Sequence, residues 1–259
     1  MGIVNVTPDS FSDGGRLVSV EAAALYARQL IEDGADILDV GGESTRPGAA
    51  PISLAEELDR VLPVLDRLVD AAVPLSIDTY KPEVMAAALA AGASMVNDVK
   101  ALREPGALKV VAASDAGVCL MHMKGDPQTM QIDPHYQDVV DDVESFLHER
   151  LAVCAAAGIS RARVAIDPGF GFGKTTAQNV ALLRSLGRFK DLGVPVLVGL
   201  SRKSVLGKIT AREVGERSHS SVAAALLAVY RGAAIVRVHD VRATRDALAV
   251  YEAVELNHD

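Results

Sequence analysis

The sequence predicts an α/β fold, a parallel (β/α)8 barrel, on three observations. Eight short apolar runs alternate with longer amphipathic stretches, and glycine steps recur where helix gives way to strand. The length, 259 residues, is close to that of one such barrel (~250 residues).

The expected strands are Ile3–Val6, Ile37–Val40, Leu75–Ile77, Met95–Val96, Val118–Met121, Val164–Ile166, Val196–Val198 and Ile235–Val238. Each is short, rich in β-formers and bounded by Gly, Asp, Asn or Pro. After the first, Val20, Ala24, Ala27 and Ile31 recur at helical spacing. After the second, so do Leu54, Leu58, Val61, Leu65 and Leu68, with Ser53 and Glu56 spaced as a capping box. Pro63 is expected to kink that helix or mark its true start. Gly34, Gly92, Gly117, Gly193 and Gly232 each precede Ala or Val and are expected as left-handed helix caps. The alternative architecture is an open, doubly wound sheet. No linker, low-complexity tract or charge block divides the chain, so residues 1–259 are expected to form a single barrel domain.

The net charge of −8 argues against wholesale nucleic-acid binding but leaves room for a small anionic substrate held by a few local cations. No apolar run reaches the ~20 residues needed to span a bilayer, and the opening Met1-Gly2-Ile3-Val4-Asn5 has no charged lead, apolar core or cleavage site, so a signal peptide is not expected. Cys119 and Cys154 have neither paired nor metal spacing, and are expected to be reduced core residues of a cytoplasmic protein.

In a barrel of this kind, chemistry is carried at the C-terminal strand ends. There this sequence places its polar signatures. The first strand runs into Asn5-Val6-Thr7-Pro8-Asp9-Ser10-Phe11-Ser12-Asp13-Gly14-Gly15, a loop suited to a lid. The second gives Asp39-Val40-Gly41-Gly42-Glu43-Ser44-Thr45-Arg46-Pro47-Gly48. Thr45 and Arg46 are suited to an anion. A buried Asp39 needs a partner, for which Arg46 or a backbone amide is expected. Asp39 and Glu43 are as well explained by bracing the loop.

Asp78, Asn97 and Asp167 close the third, fourth and sixth strands. Carboxylates accept hydrogen bonds and an amide both donates and accepts, a pattern matching the amino-pyrimidinone edge of a pterin or guanine. A hard cation is the other reading. Asp167-Pro168-Gly169-Phe170-Gly171-Phe172-Gly173-Lys174-Thr175 fails as a phosphate loop: three residues, not four, separate Gly169 from Gly173. The seventh strand leads to Ser201-Arg202-Lys203-Ser204, the eighth to Arg237-Val238-His239-Asp240. Alternation puts Arg237 and His239 on one side, forming an anion pocket. The expected site thus holds a flat heterocycle beside a phosphate-type anion.

These motifs, in this order and over essentially the whole chain, resemble the bacterial dihydropteroate synthases, pterin-binding TIM barrels. The family usually has a lead-in before the first motif, at which this sequence begins; a trimmed terminus is the expected reason, bearing on stability more than on chemistry. The resemblance implies condensation of 6-hydroxymethyl-7,8-dihydropterin diphosphate with 4-aminobenzoate, giving 7,8-dihydropteroate and diphosphate. It implies that Asp78, Asn97, Asp167 and Lys203 hold the pterin, and that Asn5, Thr45, Arg237 and His239 hold the diphosphate, with Mg2+ near Asn5. It implies an aminobenzoate site shaped by Phe11, Arg46, Pro47, Phe172, Ser201 and Ser204, where sulfonamides are expected to compete. Asp78, Lys203, Arg237 and His239 are the expected catalytic set, and a homodimer is the expected assembly. The alternatives are methyl transfer from a methyl-folate to a corrinoid protein, and a pterin-binding barrel without turnover.

Overall fold

A computed structural model describes residues 1–6, 20–46, 48–132 and 134–255. The loop from Thr7 to Gly15, with Phe11, and Pro47 lie outside the described residues. All eight expected strands form: β1 (Gly2–Asn5), β2 (Leu38–Gly41), β3 (Leu75–Asp78), β4 (Met95–Asp98), β5 (Gly117–Met121), β6 (Val164–Asp167), β7 (Leu197–Val198) and β8 (Ile235–Val236). The helices are α1 (Val20–Glu32), α2 (Leu54–Arg67), α3 (Pro82–Ala90), α4 (Ala107–Ala112), α5 (Val139–Ala156), α6 (Thr176–Arg184), α7 (Ser204–Thr210), α8 (Ser218–Tyr230) and α9 (Val241–Glu255).

β1 to β6 form one parallel ladder, and β7 pairs with β8. Single parallel bridges, Ile166 with Val196 and Gly2 with Val238, join the two pieces. The sheet therefore closes into the (β/α)8 barrel, and the open-sheet alternative falls.

Alternation along the strands sorts the side chains into two layers. Val4, Leu38, Val40, Leu75, Ile77, Val96, Val118, Leu120, Ile166, Val198 and Val236 face the helices in the main core. The intervening residues face the barrel axis. Met1, Cys119, Ala165 and Leu197 cluster there with Ile37, Met95 and Ile235 and close the floor. One step further along the same inward faces stand Asp39, Asp78, Asn97, Asp167 and Arg237. Asn5, Gly41, Asp78 and Asn97 are successive register partners, so they share one rung.

Local rules held with some exceptions. Ser53 caps α2, accepting from the Glu56 amide at 3.2 Å, but Glu56 turns its carboxylate to Arg60, so the box is half formed. Pro63 is not the start of α2: the helix opens at Leu54 and runs through it. Gly34, Gly92, Gly193 and Gly232 take positive φ, as expected of caps, whereas Gly117 does not and opens β5. A complete capping box, Thr175 with Gln178, starts α6. Cys119 and Cys154 are buried free thiols. Among the described residues no helix is long and apolar enough to cross a membrane.

Candidate active site

Two inward-facing carboxylates, Asp78 on the rung and Asp39 one inward step behind it, meet one guanidinium. Arg237 Nε donates to Asp39 Oδ2 at 2.5 Å, and Nη2 donates to Asp78 Oδ2 at 2.7 Å. Asn97 Nδ2 donates to the same Asp39 oxygen at 3.0 Å. Asp39 is fully buried, and its Oδ1 has no partner among the described residues. The expected partner of Asp39 was Arg46 or a backbone amide; the structure gives Arg237 and Asn97 instead. Arg46 is exposed.

This knot, drawn from four strands, sets the electrostatics. Burial raises the Asp78 carboxyl to about 7, helped by Asp39 and opposed by Arg237. Burial works against the Arg237 charge, but Asp39 and Asp78 outweigh it and hold the guanidinium charged beyond its ordinary range. Asp167, also buried, is raised for the same desolvation reason, against the pull of Lys203. One Asp167 oxygen accepts from the Gly169 amide at 2.7 Å, so Asp167 shapes the turn that follows β6.

Lys203 stands across the mouth. Burial lowers its ammonium to about 8, against the attraction of Asp167. Its Nζ donates to the Phe170 carbonyl at 2.5 Å and lies 4.5 Å from the centre of the Phe172 ring. Phe172 packs with Val99, Met121, Met123 and Met130, with Tyr80 alongside. That cluster forms an apolar wall beside the polar rung. The neighbouring Arg202 is not a free cation: it is paired with Asp240 at 2.6 Å.

His239 is tied to Ser201. The Ser201 hydroxyl accepts from the His239 amide at 3.1 Å and lies 2.9 Å from Nδ1. Burial and the Arg237 charge depress the imidazole to about 3, so it is neutral at physiological pH. Ser201 is therefore engaged with His239, while Ser204 is exposed at the first turn of α7. Thr45 is half-buried in the loop after β2.

That loop is fastened by a network with no separate signal in the sequence. Lys81 Nζ lies 2.6 Å from Glu43 Oε2 and 2.6 Å from Glu57 Oε2, and donates to the Ile52 carbonyl at 2.9 Å. Tyr80 donates to Glu43 at 2.9 Å. Glu43 thus braces the loop carrying Thr45 and Arg46.

Asn5 ends β1 beside Gly41, half-buried, and its amide makes no hydrogen bond among the described residues. No three acidic, His or Cys side chains among those residues gather closely enough to hold a metal ion. A hard oxygen from Asn5 still fits Mg2+, which retains waters and takes substrate phosphate oxygens rather than a protein cage.

The chain matches the model of the pterin binding enzyme family over residues 1–239. It is 52% identical to the dihydropteroate synthase of Neisseria meningitidis serogroup C, over 99% of this chain and 93% of that one. Two Xanthomonas albilineans dihydropteroate synthase structures superpose closely, each covering 99% of this chain and 93% of its own. The one with 4-aminobenzoic acid has a TM-score of 0.94 at 59% identity. The one with 7,8-dihydropteroate has a TM-score of 0.91 at 56% identity. Fold, inward rung and relatives agree, and the chain belongs to the dihydropteroate synthases of the pterin-binding enzyme family.

Proposed function

We propose that this barrel mouth joins 6-hydroxymethyl-7,8-dihydropterin diphosphate to 4-aminobenzoate, releasing 7,8-dihydropteroate and diphosphate in folate biosynthesis. The observation that carries this reading is the rung itself: an anion-binding guanidinium, Arg237, bonded to the carboxylate and amide set that matches a pterin edge. Asp78, Asn97, Asp167 and Lys203 hold the pterin. Arg237, His239, Thr45 and Asn5 hold the diphosphate. The 4-aminobenzoate site is shaped by Phe172, Arg46, Ser201 and Ser204, with Phe11 and Pro47 from the two loops.

The bond that breaks joins the pterin methylene carbon to a diphosphate oxygen. Negative charge grows on that oxygen, and Arg237 supplies a fixed positive charge within a site largely shielded from water. With the Ser201 hydroxyl donating to an unprotonated Nδ1, the single ring proton of neutral His239 sits on Nε2, a neutral donor for the same anion. The carbon left behind is cationic and conjugated with the pterin ring, and the Asp78 carboxylate stabilises it. The amine of 4-aminobenzoate attacks that carbon and loses a proton, so no protein nucleophile is required. Asn5 would hold Mg2+, which when bound supplies charge neutralisation of the diphosphate.

The pH profile follows from two groups. Asp78 must be ionised, so kcat/KM falls as pH drops below about 7. Lys203 must be charged, so it falls again as pH rises above about 8. A narrow bell is expected in initial rates; with Lys203→Met the alkaline limb should vanish from the residual activity. An alkaline limb that survives would remove Lys203 from this role.

The enzyme is also proposed to be a cytoplasmic homodimer. Leu227 and Tyr230 on α8 and Val250 and Val254 on α9 are large apolar side chains left exposed, which supports a paired helical face. The direct test of the activity is diphosphate release with one component omitted at a time. Release only with both substrates and Mg2+ is expected; methyl transfer to a cobalamin protein, or binding without turnover, would sink the reading.

A further inference from the structure

The turn after β6 carries an unusual concentration of hydrogen bonds. Five successive carbonyls, Gly169 to Gly173, each accept from a side chain. Lys174 Nζ donates to the Gly169 carbonyl at 2.9 Å and to that of Phe172 at 3.0 Å. Lys203 takes the Phe170 carbonyl. Gln131 Nε2 takes that of Gly171 at 2.6 Å, and the Tyr136 hydroxyl that of Gly173 at 2.8 Å. Asn179 Oδ1 accepts from the Gly171 amide at 2.7 Å. Four side chains from outside the turn, Lys203, Gln131, Tyr136 and Asn179, therefore help fix its shape.

Lys174 is the centre of this set. It is 3% exposed, and its third acceptor is His122 Nδ1 at 2.9 Å, with the His122 carbonyl further off at 3.4 Å. Burial lowers the Lys174 ammonium to about 7, against the attraction of Asp167; in its charged form its three protons meet three acceptors at hydrogen-bond distance. His122 is itself buried at the end of β5, edge-on to Phe146 at 5.0 Å between centroids. Burial and the Lys174 charge keep its imidazole far below its ordinary range, leaving Nδ1 free to accept. Backbone closeness completes the fit: at Gly169, with φ +72°, a Cβ would stand 1.8 Å from the His122 carbonyl oxygen. With Lys174 directed into its own turn, it is not a phosphate ligand.

We propose that Lys174 is a positioning residue for the pterin end of the site. By holding the Gly169 and Phe172 carbonyls on the buried side, it leaves the Phe170 carbonyl and the Phe172 ring to Lys203, and so sets Lys203 against Asp167. The inference rests on the assignment of Asp167 and Lys203 to the pterin. It assigns a role to a side chain that touches neither substrate.

The test is calorimetry on the full chain with two separate probes, 6-hydroxymethylpterin and inorganic diphosphate. The unaltered protein should bind both; failure to bind the pterin would overturn the parent assignment rather than this one. Lys174→Ala should weaken pterin binding at least tenfold while diphosphate affinity stays within twofold. Ethylammonium should restore pterin binding to Lys174→Ala, where it has room, and not to Lys174→Met. Pterin affinity retained within twofold in a folded variant, equal loss of both probes, or absence of amine rescue would each refute the role. Should the variants not fold, nitrogen-15 spectra of the unaltered protein decide. A neutral His122 ring with unprotonated Nδ1 from pH 5 to 8 supports the clamp; a ring titrating near its ordinary value overturns it.

Discussion

Arg237→Ala should lower both stability and diphosphate affinity, and by more than the loss of one surface charge. Two carboxylates depend on this guanidinium, Asp39 fully buried and Asp78 with 10% of its side chain exposed. Removing one partner of a buried ion pair typically costs about 3–5 kcal/mol, because the remaining charge is left unpaired in a poor solvent. Denaturant titration at pH 8 should show a loss of that size. The deficit should shrink on acidification. Burial already raises the Asp78 carboxyl and Arg237 opposes that rise, so without Arg237 Asp78 binds a proton more tightly in the folded than in the unfolded chain, and stability returns as pH falls. Diphosphate binding should weaken by about 1.5–3 kcal/mol, the worth of a charge-assisted hydrogen bond. A variant as stable as the parent, with unchanged diphosphate affinity in calorimetry, would contradict both roles of Arg237.

The second large effect is expected at Lys81→Met. Glu57 has 1% of its side chain exposed and Glu43 8%, and Lys81 neutralises both. Burial opposes the Lys81 charge, but the two glutamates outweigh it and raise its pKa. Glu57 Oε1 already has no partner among the described residues. Loss of the ammonium should again cost about 3–5 kcal/mol. Adding Glu57→Leu to Lys81→Met should recover part of it, since an apolar group replaces a stranded charge. Because Glu43 braces the loop that carries Thr45, diphosphate affinity should fall as well. A urea midpoint shift worth less than about 1 kcal/mol would show that water reaches these carboxylates.

The barrel was legible because its strands are short apolar runs between helical stretches, and each of the eight runs became a strand. The division into inward and outward layers was less legible. Both faces of a parallel strand are covered, so Met95 and Val96 look alike in sequence yet face floor and helices. Asp78, Asn97 and Arg237 could be named from their strand-end positions. The partner of Asp39 could not, since Arg237 is 198 residues away and only closure brings them together. The contribution of Lys174, Gln131 and Tyr136 was equally hidden. Apart from the His122 ring nitrogen, their acceptors are backbone carbonyls, which leave no trace in a side-chain pattern. Lys174 drew notice only through the phosphate-loop spacing that it fails.

The ladder's division into six strands and two has a bearing on how such a site is tuned. On the proposed assignments, the heterocycle is read mainly by Asp78, Asn97 and Asp167, whose strands are zipped edge to edge along β3 to β6. Arg237 and His239 follow the two-stranded piece, attached on either flank by one bridge. Recognition of the ring is thus built on a stiff chassis, and recognition of the leaving group on a lightly stitched panel. Arg237 is the clasp between them, so substitutions on the panel leave the chassis as it stands only where they spare its grip on Asp39 and Asp78.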